Sequence, residues 1–417
     1  MKNRKWYSIS KTFVIVLIVI VVSYTLIPGY IWLKWNSGGI FAFLVRPVAP
    51  HSVSYLDSDF TVLLSPVHRG SIPLGKVIFY KVLQSGDVKR VYEIKHCGPE
   101  IERPTEVGDT FYFPHGSALF HKSVTYITVL RNGKVYRKDI GCSTSENIVY
   151  LNEKLFVLTT CEKQLYAFDK NMNLLKKSDL SKVIPEEFVA FYLYRYKNSL
   201  WIMGNDKDYG DKNFYRIFVE INPETLSPVK IVRFPYPLAP DGDHGKIIKY
   251  DGKIYVLGND DENWLPYKCM HDVIYVLDPL PKPVYVSSYV YYLVNNSKPD
   301  KNFSSCLKKY ESQKFKFGGA CQFIPVDPDK KDFIITGQSG DKFFLYFSRT
   351  NRFTEIPKKF YEKDIFDFNP GVYCTGHLYI ATSKYLLRFD EGKFTIVDRY
   401  RGNFDAPFIS RTKDLEN

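Results

Sequence analysis

KIYVLGN, Lys253–Asn259, is the stretch from which the organisation of the chain can be read. It is apolar, rich in β-branched and aromatic residues, and enters from the turn pair Asp251-Gly252. That composition and framing describe a short strand between turns. The pattern recurs. KLFVLTT begins at Lys154, SLWIMGN at Ser199, DFIITGQ at Asp332 and HLYIATS at His377, with looser versions DFTVLLS at Asp59 and DTFYFPH at Asp109. In chain order the starts are 50, 45, 45, 54, 79 and 45 residues apart. Each is followed by a second apolar run: VIFYKVL, VTYITVL, QLYAFD, YRIFVEI, VIYVLD, FFLYFS and YLLRFD. Several of these end in Asp and enter a turn, and a third run often follows, as in RVYEI, VYRKDI, VKIVRF and FTIVD.

Self-similarity at about 45 residues, with three or four short strands per unit, predicts an all-β β-propeller of six or seven blades. One small twisted sheet cannot bury both of its faces alone. Packing against neighbours around an axis buries them and leaves only short edges. The 79-residue interval is too long for one blade. It predicts an insertion near residues 280–325, which includes the Pro-rich DPLPKP and a short helix around 303–310. A second short helix is expected over 179–188. No series of long amphipathic helices alternates with the strands, which disfavours an α/β enzyme fold. The pattern resembles the broad propeller group, including kelch-like, quinone-enzyme-like and six-bladed lactonase-like proteins, over roughly residues 55–400. The resemblance rests on repeat length and on the strand type of residues 251–258. The WD dipeptide and the kelch double glycine are missing, so no family's functional residues carry over.

Ahead of the repeats stands TFVIVLIVIVVSYTLIPGYIWL, residues 12–33, without a charged side chain. As a helix, 22 residues at about 1.5 Å each span roughly 33 Å, close to the ~30 Å hydrocarbon core of a bilayer. Trp6, Tyr7, Tyr30, Trp32 and Trp35 flank it, where amphipathic rings settle at membrane interfaces. The apolar run exceeds that of a signal peptide and offers no small-x-small cleavage site, so it reads as an uncleaved anchor. Lys2, Arg4, Lys5 and Lys11 precede it without an acid, which by the positive-inside rule places the N-terminus in the cytoplasm. The expected organisation is a cytoplasmic basic tail (1–11), a transmembrane helix (12–33) contacting the lipid bilayer, a connector (34–54), and an extracytoplasmic propeller (55–417) in a periplasm, at a cell surface or in a secretory lumen.

Over 417 residues, 57 bases against 45 acids give +12, and since five bases and no acid lie in residues 1–34, the remainder carries +7. That excess contains no Lys/Arg block and excludes a nucleic-acid arm. It fits solubility or attraction to an anionic membrane or glycan surface. The seven Cys include no C-x-x-C, and Cys306 with Cys321 is the expected disulfide. Asn295 and Asn302 begin glycosylation sequons.

The acidic loops are the candidate chemistry. NDKDYGDKN carries Asp206, Asp208 and Asp211, PDGDHG carries Asp241, Asp243 and His244, and NDDEN carries Asp260, Asp261 and Glu262. Hard cations need several convergent oxygens, and Asp206, Asp208, Asp260 and Asp261 are the expected metal ligands, with calcium the candidate ion. The first and last of these loops follow equivalent strands and are expected on one face. PDGDHG precedes its strand and is expected at the opposite end. The same residue types are the usual turn formers, and solvated turns are the competing reading. Paired carboxylates also suit glycosidic hydrolysis. His115 and His377 border strands and are expected near the central funnel. D-x-D pairs at Asp57/Asp59, Asp206/Asp208, Asp241/Asp243 and Asp327/Asp329 are of the kind used by membrane-tethered glycosyltransferases, whose α/β domain is not visible. Gly371 and Gly376 lack the Lys and Ser/Thr of a phosphate loop. The expected function is a binding or scaffold module for a protein or glycan partner. The alternatives are a carbohydrate-active or lactone-type hydrolase with an acidic or metal site in the funnel, and a membrane-tethered glycosyltransferase.

Overall fold

The structure is a computed structural model that describes strands and turns between residues 61 and 414. Residues 1–60, 206–215, 235–246, 260–268, 293–319 and 361–370, with shorter stretches between strands, lie outside the described residues. The expected anchor at 12–33 and helix at 303–310 therefore fall outside them. Among the described residues no helix is long and apolar enough to cross a membrane.

The described strands form seven antiparallel sheets of four or five strands, six of them each drawn from one sequence repeat and the first completed from the far end of the chain. Blade 3 shows the plan most simply: Ile148–Leu151 innermost, then Lys154–Thr159, Gln164–Phe168 and, outermost, Leu174–Asp179. Blade 4 is Val189–Tyr196, Ser199–Asn205, Arg216–Ile221 and Pro228–Phe234. Blade 5 is Ile247–Tyr250, Lys253–Asn259, Asp272–Asp278 and Leu280–Val286. Blade 6 is Ala320–Asp327, Asp332–Ser339, Lys342–Phe347 and Arg352–Glu355, and blade 7 is Val372–Cys374, His377–Ala381, Tyr385–Asp390 and Lys393–Arg399. In blade 2 the innermost position is divided between Glu100–Ile101 and Thr105–Val107, both paired to Thr110–Leu119. All seven recurring segments of the sequence thus occupy one structural position, the strand next to the innermost.

Ring closure follows a pattern the repeat did not specify. The segments at Tyr385 and Phe394 fill the outer half of blade 7, as expected. The closing element is a further strand, Asp405–Arg411, which pairs with Thr61–Val67 and becomes the innermost strand of blade 1, whose outer strands are Lys76–Val82 and Val88–Lys95. The two ends of the described chain are held together by a hydrogen-bonded ladder, with Leu63 opposite Ser410 and Leu64 opposite Ile409.

Blade packing explains the apolar runs. In SLWIMGN, Leu200 and Ile202 turn toward blade 3, while Trp201 and Met203 turn toward blade 5. In KLFVLT, Leu155 and Val157 meet blade 2, and Phe156 and Leu158 meet blade 4. Alternate side chains of these strands point to opposite faces, and both faces are covered, so nearly every residue must be apolar. Outer strands face solvent, and the Leu174–Asp179 sequence is accordingly LLKKSD and exposed. The hairpins between innermost and second strands in blades 5 and 7 turn through Asp251-Gly252 and Thr375-Gly376, all four with positive φ. That matches the two-residue turn whose twist suits strand pairs.

Two expectations are revised. Leu280–Val286, expected in the insertion, is the outermost strand of blade 5, where proline is tolerated because an edge strand lacks one partner. Ala320–Asp327 likewise belongs to blade 6, so the extra chain lies between Val286 and Ala320. A two-stranded pairing of Cys269–Met270 with Tyr291–Tyr292 reaches into it. Where a helix over 179–188 is expected, Asp179 ends a strand and Leu180–Lys182 form one 3-10 turn, while 183 and 185–188 lie outside the described residues. Leu180 and Ile184 are used as apolar plugs between blades 3 and 4.

Candidate functional site

The seven innermost strands surround an axial cavity of about 600 Å³. Each contributes to its wall: Thr105, Ile148, Leu193, Ile248, Ile324, Val372 and Ile409 come from blades 2, 3, 4, 5, 6, 7 and 1. Tyr192, Tyr194, Tyr196, Tyr250, Tyr255 and Tyr373 make it strongly aromatic. Three of their hydroxyls are anchored within the wall. Tyr194 donates to the Pro279 carbonyl (2.7 Å), Tyr196 to Asp278 Oδ1 (2.6 Å), and Tyr250 to the Val326 carbonyl (3.1 Å). These bonds run from blade 4 to blade 5 and from blade 5 to blade 6, which fixes the rings as walls. Burial pushes the Tyr255 hydroxyl up to about 12, so it stays neutral at physiological pH.

Carboxylates of the wall are matched to bases. Asp278 accepts from Lys282 Nζ at 2.5 Å, and this bond, with that from Tyr196, holds its carboxyl below the usual range. Asp329 pairs with Lys253 at 3.2 Å. Asp414 is the third, and it comes from the tail beyond the closing strand. It receives Arg411 Nε at 2.5 Å and Nη2 at 2.8 Å, a two-pronged bond suited to guanidinium and carboxylate. The Asp251 backbone N–H donates to the same carboxylate at 3.1 Å. The Arg411 guanidinium lies 4.0 Å from the centre of the Tyr250 ring and 3.6 Å from Asp251 Oδ1. Arg411 is 6% and Asp414 4% exposed. Burial pushes the Asp414 carboxyl above its ordinary value despite the opposing Arg411. Burial also works against the Arg411 charge, but hydrogen bonding and attraction from Asp414 outweigh it and keep the guanidinium protonated. Blade 1 and blade 5 lie across the ring from each other, so this cluster spans one mouth of the cavity.

The expected metal ligands Asp206, Asp208, Asp260 and Asp261 lie outside the described residues, as do Asp241, Asp243 and His244. The strands that lead to them are described. Asn205 and Asn259 end equivalent strands, and Asn205 sits in register with Val189 and Arg216, the starts of neighbouring strands. Phe234 is level with Arg216, and Ile247 pairs with Val256 near the end of its strand. The strand ends flanking PDGDHG are therefore at the same end of the blades as those flanking the other two loops. This corrects the expected opposition: in a four-stranded antiparallel blade, an outermost strand finishes at the end where the next innermost strand begins. The Arg411–Asp414 cluster is at the other end. Arg216 is fully buried at the root of the 206–215 stretch.

His377 does not face the funnel. Its Nδ1 is paired with Asp390, whose Oδ2 is also within ion-pair distance of Arg388 Nε at 2.7 Å. The ring packs against the turn at Gly86 of blade 1, where a Cβ would stand 2.5 Å from Nε2. His377 thus belongs to the seam between the last blade and the first. His115 lies in the second strand of blade 2. Asp327 caps the 3-10 turn Pro328–Lys330, receiving the Lys330 N–H, so the Asp327/Asp329 pair serves a turn. Cys374 is buried, and Cys306 lies outside the described residues. Among the described residues no group of three or more His, Cys, Asp or Glu is arranged to hold a metal ion. Sequence reasoning passed over the wall tyrosines and the Arg411–Asp414 pair. The dense tyrosines of FYLYRY in the innermost strand of blade 4 were the available signal.

No protein-family model matches the chain, and no curated protein sequence matches it. Solved structures similar to it are propellers or propeller-like proteins of low identity. The apo structure of AztD from Citrobacter koseri is 14% identical, covering 84% of this chain and 97% of that one, with a TM-score of 0.45. A Lactobacillus plantarum protein is 9% identical over 84% and 99%, with a TM-score of 0.42. The β-propeller domain of the Trilobed protease from Pyrococcus furiosus is 11% identical over 82% and 99%, with a TM-score of 0.39. The likeness is to the broad propeller group as a fold, without assignment to one family.

Proposed function

We propose that the chain is a membrane-anchored, extracytoplasmic propeller that acts as a binding or scaffold module for a protein or glycan partner, engaged over the axial cavity. The observation that carries this reading is the cavity wall. It is aromatic, contributed by all seven blades, and each acid among its described residues is held by a base: Asp278 by Lys282, Asp329 by Lys253, Asp414 by Arg411. Anchored tyrosine rings suit recognition, because they offer rigid amphipathic area at low entropic cost. A glycoside hydrolase would need two carboxylates free to act as acid and as base or nucleophile. A sugar-nucleotide transferase would need an α/β domain. The anchor and orientation rest on residues 12–33 and their basic flank.

The test is binding of the full-length chain in detergent to a panel of defined glycans and purified extracellular proteins. Tyr373→Ala and Lys197→Glu at the cavity wall should weaken the selected ligand at least tenfold, whereas Val229→Ser on the outer edge of blade 4 should not. Wall variants that bind like wild type would sink the reading. Calcium at Asp206, Asp208, Asp260 and Asp261 is a separate proposal, resting on the acidic composition of the two loops. Calcium should raise the melting temperature of wild type, and Asp208→Asn and Asp260→Asn should abolish the rise. No calcium response returns these residues to solvated turns.

A further inference from the structure

The cluster at the turn-side mouth of the cavity has the parts of a ligand site, and its occupant is the chain's own side chain. The receiving groups belong to the closed ring. Arg411 is the last residue of the closing strand, Tyr250 the last of the innermost strand of blade 5, and the Asp251 N–H starts the turn that follows. Asp414 comes after the ring has closed and adds no strand to it. Its carboxylate takes both prongs of the Arg411 guanidinium at 2.5 and 2.8 Å and the Asp251 N–H at 3.1 Å. Asp414 also lines the cavity, so the site opens inward onto a space of about 600 Å³.

We propose that this mouth is a carboxylate-binding subsite, and that Asp414 is its resident intramolecular occupant, displaced when a carboxylate-bearing ligand enters the cavity. A buried guanidinium cannot be left without an anion at low cost. Here the exchange has a stand-in: Asp251 Oδ1 lies 3.6 Å from Arg411 and is the more exposed of the two acids. As Asp414 leaves, Asp251 keeps the guanidinium partnered until the incoming carboxylate takes the vacated position between Arg411 and the Asp251 N–H. The tail then sets a threshold, since a ligand must outcompete a carboxylate present at high effective concentration. The proposal rests on the cavity being the place of binding and names the chemistry recognised there.

Chemical rescue tests it without knowledge of the partner. In the full-length chain, Asp414→Ala empties the subsite, and sodium formate at about 0.2 M should raise its melting temperature by about 2 °C over equal sodium chloride. Wild type, already occupied, should show no such difference. Asp414→Asn, which keeps the position filled, should show none either. If the Ala variant accumulates unfolded in chloride, the reading becomes recovery of folded protein on transfer to formate. A larger rise with glucuronate than with formate assigns the subsite to a sugar acid, and a larger rise with N-acetylaspartate assigns it to a peptide side chain. Formate, glucuronate and N-acetylaspartate all equal to chloride on Asp414→Ala, or an equal response from Asp414→Asn, overturns the proposal. That result would leave the wider reading of the cavity standing, because the wall variants test it separately.

Discussion

Closure of the ring by Asp405–Arg411 makes Ile409 the residue whose truncation should report most directly on the fold. Its side chain is 5% exposed and joins Ile78, Tyr80 and Val82 of blade 1 to Val372, Tyr379, Ala381 and Leu386 of blade 7. Removing three carbons from that seam costs their transfer free energy and leaves a cavity, together about 2–5 kcal/mol for Ile→Ala. The matched control is Leu174→Ala on the outermost strand of blade 3, where the side chain is 53% exposed and the expected change is within about 0.5 kcal/mol. For a domain of this size, unfolding entropy near 2 cal/mol/K per residue converts the Ile409 loss to a fall of about 3–7 °C in melting temperature. The assay is urea and thermal unfolding of the full-length chain in mild detergent, with tryptophan emission and far-UV dichroism followed together. The denaturation midpoint should fall while its slope is unchanged, since the surface exposed on unfolding is nearly the same. Equal shifts for the two variants would show that the last strand does not bear the seam, and would refute the closed-ring account.

Truncation after Gly402 spares all of blade 7 yet removes the closing strand, exposing Thr61–Val67 as an open edge; the product should lose cooperative unfolding and aggregate, as seen by scattering on heating. Gly371→Ala would place a Cβ 2.1 Å from the Tyr379 carbonyl oxygen and should cost about 1–3 kcal/mol or more in urea unfolding, whereas Gly376→Ala meets nothing nearby and pays only for its φ of +82°, about 1 kcal/mol. Acid should destabilise the domain through its turn carboxylates: Lys282 and Tyr196 depress the Asp278 carboxyl, and Lys330 depresses that of Asp327. A depressed folded value means stability present above the unfolded value near 4 and lost as pH falls through the folded one. The deficit of Asp278→Asn relative to wild type, measured at neutral pH, should therefore vanish toward pH 2. Asp414 has the opposite sign, since burial raises its carboxyl and its contribution is lost as pH rises through the folded value.

The sequence alone determined the repeat, and through it the blade. KIYVLGN and its six counterparts are legible because a strand covered on both faces must be apolar at nearly every position, and because seven such strands share one position. Turn pairs such as Asp251-Gly252 are equally local, being set by a backbone conformation that few residues adopt. The innermost strands were harder to read. Ile247–Tyr250 and Val372–Cys374 are only four and three residues long, and the cavity mixes Tyr and Lys into them. Tertiary structure decided three further matters. That Asp405–Arg411 pairs with Thr61–Val67 depends on the ring bringing together residues more than 300 positions apart, for which no local pattern exists. His377 reads as a funnel residue beside its strand, but the turn of blade 1 against it makes it part of the seam. Arg411 and Asp414 are an ordinary pair of surface-like charges in sequence. They form a buried site because the closed ring carries the tail across its axis onto Tyr250 and Asp251, a contact fixed by the curvature of seven packed sheets and by no property of the tail itself.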